Sequence, residues 1–568
     1  MSGLLSVTMH PHPSLSASAF HDWYNNEHGP TRLRLPFITN GIRYRATDIP
    51  STASEQEKQT KLPEWLAIYD VADMAEMQGE AYLRLRREDV KSQREKETMR
   101  QIAIDRRLYD LVEDEKGPGY VPVENDLSAP AEREEDRRVL VAITQTVHPG
   151  QEDEFGRWYK EEHIPLLSKV PGWLRTRRFV NSAVEPKKEG QDTEYLCLHE
   201  YLPQNGLDDS PEMRAATNTP WRTRIFESVV KARSRRVYRH YYTFGGAPRD
   251  LASLTPKDTQ AFTSPDGLTR ALPSSTVPAI ESYITTPDGV TLPYRLEGSP
   301  DPDAPLLVLA NSILTHYSIY DAFVHTLLST PETSHYRILR YLARGRQPNA
   351  GPADKTVTLD VLSSDILHML DTLRVQTASC LVGVSLGGAT VLNTTLKYPG
   401  RTRGFVACDT NAVAPPGNPK AWTERVGIAE REGATDPKTG ERVVGGELAE
   451  VTVRRWFTAE SYDGGEKEEV ARRVTEMVRG NSLEGFKRGV RALFEYDIRN
   501  EMQSAKGLKG MFVAGEKDGV LPKTMRDMQA MLEGSEFAVV EGAGHLPMTE
   551  QPERFYEVVK GFLKKLEA

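Results

Sequence analysis

Cys380-Leu381-Val382-Gly383-Val384-Ser385-Leu386-Gly387-Gly388-Ala389 is the stretch that decides the fold. Residues 380–384 make a short apolar run, the pattern of a strand buried on both faces. A helix-compatible segment begins at Leu386 with no loop before it. Across the junction lies Gly383-Val384-Ser385-Leu386-Gly387, a G-x-S-x-G pentapeptide. A turn from strand into helix this tight leaves no room for neighbouring side chains, so glycines flank the serine. The strained backbone exposes the Ser385 hydroxyl at the helix N-terminus, where the dipole favours developing negative charge. The pentapeptide alone is common by chance; the strand-turn-helix setting makes Ser385 a candidate nucleophile.

Working outward, the texture is that of a mainly parallel α/β sheet. Residues 282–286 and 291–295 flank Pro287-Asp288-Gly289 and read as an opening hairpin. Residues 306–310 are a second doubly buried strand, and 337–341 a weaker one. Residues 359–373 have the spacing of an amphipathic helix. Strands are expected at 404–408, 510–514 and 536–540, and a closing helix at 555–566. This places one domain at 280–568, with a helical cap at about 415–500.

A serine hydroxyl is a weak nucleophile until a base takes its proton. His545 is the only histidine after Ser385 and lies in a glycine-rich loop, Glu541-Gly542-Ala543-Gly544-His545. An orienting acid belongs on the loop after the preceding strand. Asp518 is there, 27 residues before His545, with Glu516 as its rival. The oxyanion of an acyl-transfer intermediate needs two backbone N–H donors. Leu386, next to the nucleophile, supplies one. Ile313, in Asn311-Ser312-Ile313 after the strand 306–310, is assigned the other. The catalytic set is thus Ser385, Asp518 and His545, in a Ser-His-Asp acyl-enzyme mechanism that requires no cofactor and no metal.

Residues 281–568 resemble the α/β-hydrolases, and among them the bacterial 3-oxoadipate enol-lactonases. Leu309-Ala310-Asn311-Ser312 looks like that family's oxyanion segment, and Arg340-Tyr341 with Arg344-Gly345 like its strand-loop motif. Ala421-Trp422 with Arg425, then Arg454-Arg455-Trp456-Phe457, then Asn481 to Phe486 match its cap in style. The resemblance implies an enzyme hydrolysing a small lactone or ester. It makes Asn311, Trp422 and Trp456 candidate substrate-binding residues. Related hydrolases cleave C–C bonds in β-diketones, and that reaction stands as the alternative. A lactone carrying a carboxylate calls for a cation, for which Arg425, Arg454 and Arg455 are candidates. The family's Arg-Gly-His-Gly is here Arg344-Gly345-Arg346-Gln347, and Leu314 stands where the oxyanion loop often has glycine. The cap also carries an extra polar stretch, 435–446.

The N-terminal region contains a repeat at an offset of 135 residues. Phe20, Trp23-Tyr24, Glu27-His28 and Pro30 align with Phe155, Trp158-Tyr159, Glu162-His163 and Pro165, giving F-x-x-W-Y-x-x-E-H-x-P. The aromatic spacing puts one helical face in both copies, and each proline is expected to end or kink its helix. Strand-like runs surround each motif: 4–9, 42–46, 65–71 and about 108–112, then 139–147, 174–180, 195–201 and about 236–242. The order is β-α-β-β-α-β, a ferredoxin-like module, predicted at 1–125 and again at 136–243. Residues 49–62 read as a polar insertion in the first copy.

This order and motif resemble the dimeric α+β barrels, particularly EthD-like proteins, in which two such sheets pack into a barrel. Proteins of that kind include cyclases and decarboxylase-like enzymes. The resemblance makes His28 and His163 a candidate barrel site and a bifunctional enzyme a second alternative. A purely structural Glu-His pair, or an assembly module mediating a homo-oligomer, is the competing reading. Residues 244–279, rich in Ser, Thr, Pro and Gly, read as a linker.

Composition narrows the classes. The 568 residues are 38% hydrophobic and 27% charged, enough to bury several cores. The 72 basic and 81 acidic side chains leave a net charge of −9, which argues against a nucleic-acid partner. No apolar run reaches the roughly 20 residues of a membrane helix, and the N-terminus lacks a secretory pattern. Cys197, Cys380 and Cys408 are too scattered for a disulfide framework or a zinc site. The expectation is a cytoplasmic protein acting on a small-molecule substrate.

Overall fold

The computed structural model describes residues 1–126, 134–185, 192–462, 464 and 467–567. The chain divides into two compact units, Met1–Pro248 and Arg249–Ala568.

In the first unit, eight strands close into a barrel: β1 (Gly3–Pro11), β2 (Ile38–Ala46), β3 (Trp65–Val71), β4 (Ile102–Lys116), β5 (Val139–Val147), β6 (Trp173–Asn181), β7 (Thr193–Tyr201) and β8 (Val230–Thr243). Their order is β1-β3-β2-β8-β5-β7-β6-β4, all antiparallel, with β4 returning to β1. Each repeat contributes the same four-strand order. The edges join crosswise, β2 to β8 and β4 to β6. Closure leaves no unpaired strand edge, the problem that a lone four-stranded sheet carries.

The alternation of the strands sorts side chains to two faces. Leu4, Ile68, Leu140 and Leu198 meet inside the barrel, whereas Leu5, Met9 and Tyr69 pack outward on Phe20, Trp23 and Tyr24. β4 and β8 run far beyond the apolar stretches that mark them in sequence. Their charged ends are held by cross-strand ion pairs such as Arg178–Glu113 at 2.9 Å.

The motif helices do not break at proline as expected. Tyr24–His28 and Tyr159–His163 each form a π turn, and helix resumes over Gly29–Leu33 and Ile164–Leu167 with the proline in its first turn. The widened turn accommodates a residue without an N–H, and Pro stands where a first-turn N–H would have no partner.

In the second unit, ten strands form one sheet: β9 (Phe262–Thr263), β10 (Arg270–Leu272), β11 (Ala279–Thr285), β12 (Thr291–Gly298), β13 (Leu306–Ala310), β14 (Arg337–Tyr341), β15 (Cys380–Val384), β16 (Phe405–Cys408), β17 (Gly510–Gly515) and β18 (Glu536–Val540). Their order is β18-β17-β16-β15-β13-β14-β12-β11-β10-β9, parallel from β14 to β18 and antiparallel beyond. The chain leaves β13 for β14 on one side and returns to β15 on the other. The loops after β13 and β15 therefore splay apart at the switch point, where open α/β sheets bind ligands. Between β16 and β17 the chain makes a helical excursion, with helices Asn418–Glu432, Gly446–Trp456, Glu468–Arg479, Leu483–Gly489 and Arg499–Ser504.

Residues 244–279 are not a linker. Phe244 and Ala247 are buried in the first unit, Leu251, Leu254 and Phe262 in the second, and β9 and β10 extend the sheet from β11. Strands of two and three residues are too short to show a period, so a Ser/Thr/Pro-rich composition conceals them. No helix among the described residues is long and apolar enough to cross a membrane.

Candidate active site

Ser385 sits at the end of β15 with φ 57° and ψ −119°, a backbone conformation that non-glycine residues rarely adopt. The crowding that requires glycine is explicit. A Cβ on Gly383 would lie 2.2 Å from the Gly387 carbonyl oxygen, and one on Gly387 2.2 Å from that of Ala310. The turn is pinned by the Ser385 N–H, which donates to Cys408 O at 2.9 Å. Leu386 opens the helix Leu386–Lys397, where the first N–H groups have no intrahelical acceptor.

His545 stands on the loop after β18, and its Nδ1 lies 2.7 Å from Asp518 Oδ2. Asp518 is on the loop after β17. The rival Glu516 is exposed and accepts the Gly542 N–H at 3.0 Å. The loop carrying His545 is anchored from two directions. Its own N–H donates to Trp456 O at 2.7 Å, and the Gly544 N–H donates to Glu550 Oε2 at 2.6 Å. The other oxygen of the buried Glu550 accepts from the Thr458 N–H and from the Thr458 and Ser461 hydroxyls. The histidine loop and the helical insertion are thereby tied together.

A second carboxyl supports the first. Asp409, 1% exposed after β16, accepts the Gly515 N–H on Oδ1 at 2.9 Å. Its Oδ2 has no hydrogen-bond partner, and the Asp518 carboxyl is close enough to act on it electrostatically. Burial, and after it the neighbouring Asp518, push Asp409 well above the usual carboxylate range.

The loop after β13 is shaped by buried polar groups. Asn311 is 2% exposed, and its amide N–H group donates to Ser312 O at 3.1 Å and Thr315 O at 2.5 Å. Its N–H donors thus hold their own loop instead of projecting toward a substrate. Ile313 is buried, and Leu314 adopts φ 62°, the left-handed backbone that favours glycine at this position. Asn481 Nδ2 donates to Leu314 O at 2.8 Å. Arg346 donates through its guanidinium to Ser312 O at 2.6 Å and through Nε to Thr315 O at 3.1 Å. Burial without a carboxylate partner pulls Arg346 down to about 9. Its departure from the histidine of the related motif was visible in the sequence; its role as a clamp on the loop was not.

Of the two insertion tryptophans, Trp456 is 2% exposed and stacks on the His545 ring, centroids 5.8 Å apart. Trp422 is 7% exposed, with the Arg425 guanidinium 4.3 Å above its ring. Arg454 is exposed and pairs with Glu450. Neither Arg425 nor Arg455 has an ion-pair partner within 4.0 Å among the described residues. Desolvation and the charge of Arg455 lower Arg425 to about 10. Desolvation lowers Arg455, and the charge of Asp518 opposes that shift.

His28 and His163 lie in the first unit and are not part of this constellation. The glutamate of each Glu-His pair caps a neighbouring helix through that helix's N-cap hydroxyl. Ser92 donates to Glu27 at 2.5 Å, and Thr219 to Glu162 at 2.6 Å. The histidines differ. His28 Nδ1 meets Glu95 Oε1 at 2.9 Å, whereas the buried Nδ1 of His163 has no partner. Among the described residues, no cluster of three His, Cys, Asp or Glu is arranged to hold a metal.

Residues 307–558 match the Alpha/beta hydrolase family. A curated relative, 3-oxoadipate enol-lactonase 1 of Acinetobacter baylyi, is 28% identical over 287 residues, covering 50% of this chain and 97% of that protein. Among solved structures, a hydrolase from Pseudomonas aeruginosa is 30% identical, covers 50% of this chain and 98% of its own, and has a TM-score of 0.43. The enol-lactonase from Burkholderia xenovorans is 26% identical, with 50% and 99% covered and a TM-score of 0.42. Family and relative coincide with the unit that carries the elbow, and the C-terminal half of this chain has the α/β-hydrolase fold and resembles the 3-oxoadipate enol-lactonases.

Proposed function

We propose that the second unit is a serine hydrolase that opens a small lactone or cleaves a small ester bearing a carboxylate. The observation that carries the reading is the His545–Asp518 hydrogen bond of 2.7 Å in the same unit as a serine on a strained elbow. Asp518 accepts a hydrogen bond from Nδ1–H, which leaves Nε2 as the base. Nε2 takes the Ser385 proton while Oγ bonds to the substrate carbonyl carbon. The oxyanion is received by the N–H groups of Ile313 and Leu386. As the acyl C–O bond breaks, the imidazolium returns its proton to the leaving oxygen. Water, deprotonated by His545, then attacks the acyl-enzyme and frees Ser385. The carboxylate is assigned to Arg425, half-buried, and Arg455, exposed, two cations without carboxylate partners among the described residues.

The test is a substrate panel of p-nitrophenyl acetate, a butenolide enol-lactone with and without a carboxymethyl group, and a β-diketone. The wild type should hydrolyse the carboxylated enol-lactone best, and Ser385→Ala should lose at least ~10³-fold. Preference for the β-diketone would replace the lactonase reading with C–C hydrolysis. Equal turnover by both proteins would remove the serine mechanism.

A further inference from the structure

The first unit contains a cavity of about 320 Å³ that belongs to the second repeat alone. It lies between the outer face of β5, β7 and β8 and the helical segments that cover them. Its walls are largely apolar: Ile143, Trp158, Leu167, Met213 and Phe226 among them. That is the size and lining of a small-molecule pocket.

Two buried histidines line it. His163 is 7% and His199 2% exposed, and their ring centroids are 6.4 Å apart. His199 Nδ1 is engaged by Thr176 at 2.9 Å. Each ring keeps one buried nitrogen without a partner, Nδ1 of His163 and Nε2 of His199. Buried polar atoms are ordinarily satisfied, so two orphans on one cavity mark a place where something else bonds. Burial favours the neutral form of both rings, lowering His199 to about 3 and His163 well below its ordinary value.

The mouth is cationic. Arg222, Arg233 and Arg235 line it, and none pairs with a carboxylate among the described residues. Arg222 and Arg233 both stack on Phe226, at 4.5 and 4.6 Å. Their mutual repulsion is relieved by an anion between them, and a guanidinium fork matches a carboxylate.

The first repeat supplies an internal comparison. There the equivalent histidine, His28, is met at 2.9 Å by Glu95, a carboxylate of the chain itself. Among the described residues, no carboxylate meets His163. The duplication has kept the glutamate that caps the helix in both copies and left the histidine open in one.

We propose that the second repeat binds a small aromatic carboxylate. The ring lies between Trp158 and Met213, the carboxylate is held by the mouth arginines, and His163 and His199 receive the ligand's polar substituents. This site is independent of the hydrolase reading.

The experiment is calorimetric titration of the full chain, carrying Ser385→Ala, with 2-naphthoate and with 2-naphthamide. The expected result is saturable binding of 2-naphthoate at sub-millimolar Kd. Replacing the exposed pair, Arg233→Gln with Arg235→Gln, should weaken 2-naphthoate at least ~10-fold and leave 2-naphthamide within about twofold. Met213→Trp, which fills the cavity from a half-buried position, should abolish both, with unchanged circular dichroism showing that the fold survives. No saturable binding by the parent protein overturns the proposal. So does binding that a folded Met213→Trp variant retains, which places the ligand elsewhere. Equal weakening of acid and amide by the arginine changes overturns the assignment of an anion.

Discussion

Asp518 and Asp409 illustrate how one residue type divides into two roles by environment. Asp518 faces an imidazole at 2.7 Å, whereas Asp409 faces a carboxyl inside the core. Asp518→Asn removes the acceptor that sets the His545 tautomer, and kcat should fall about 10³–10⁴-fold with the fold intact. Asp409 has the opposite pH signature. Its carboxyl is protonated in the fold and ionises in the unfolded chain above its ordinary value of 3.8. The native state then binds the extra proton, so this group lowers stability as pH rises from there toward its raised folded value. Asp409→Asn removes the ionisable group and should flatten that decline. Urea unfolding of both proteins at several pH values between 5 and 8 reads the difference, and parallel curves would contradict a protonated Asp409. The His545–Asp518 pair was legible because only one histidine follows Ser385. Asp409 was not, since nothing in Cys408-Asp409-Thr410 distinguishes a buried carboxyl from a loop acid.

At the level of elements, the elbow and the loop after β13 form one object. Gly387 admits no Cβ because the Ala310 carbonyl is already there. Gly387→Ala should therefore displace Leu386 and the loop carrying Ile313, the two proposed oxyanion donors. The expected outcome is loss of activity at least as large as about 10²-fold, with a lowered Tm. Arg346 acts on the same loop through two carbonyls. Arg346→Lys cannot reproduce the fork and should lower kcat more than it raises KM, a split that steady-state kinetics checks. The elbow was readable because strand, turn and helix each left their own signal. The clamp was invisible, because a backbone acceptor imposes no side-chain pattern on the loop it holds. β9 and β10 were lost for a different reason, too few residues to show alternation.

Across the whole molecule, histidines lowered by burial concentrate in the first unit, with His316 in the second. The barrel buries His21, His28, His163 and His199 in neutral form. Burial, with Arg43 beside it, takes His21 to about 2, and burial with Arg32 takes His28 to about 4. Each binds a proton more readily when unfolded, so its contribution is complete above about 6.5 and is lost as pH falls. The first unit should unfold in acid before the second. Five of the seven tryptophans, Trp23, Trp65, Trp158, Trp173 and Trp221, lie in it, so tryptophan emission should report an early transition below pH 6. A flat signal from pH 7 to 4.5 would contradict this. The repeat announced the barrel through W-Y-x-x-E-H, a motif whose glutamate caps a helix in both copies. What separates the copies, Glu95 beside one histidine and a cavity beside the other, comes from segments outside the motif.

The central claim is that Ser385 is the nucleophile. The most direct measurement is mass-spectrometric mapping of the protein after reaction with a fluorophosphonate. One adduct on the peptide containing Ser385, absent after His545→Ala, is the predicted result. An adduct on another residue, or none on an active protein, would contradict the account.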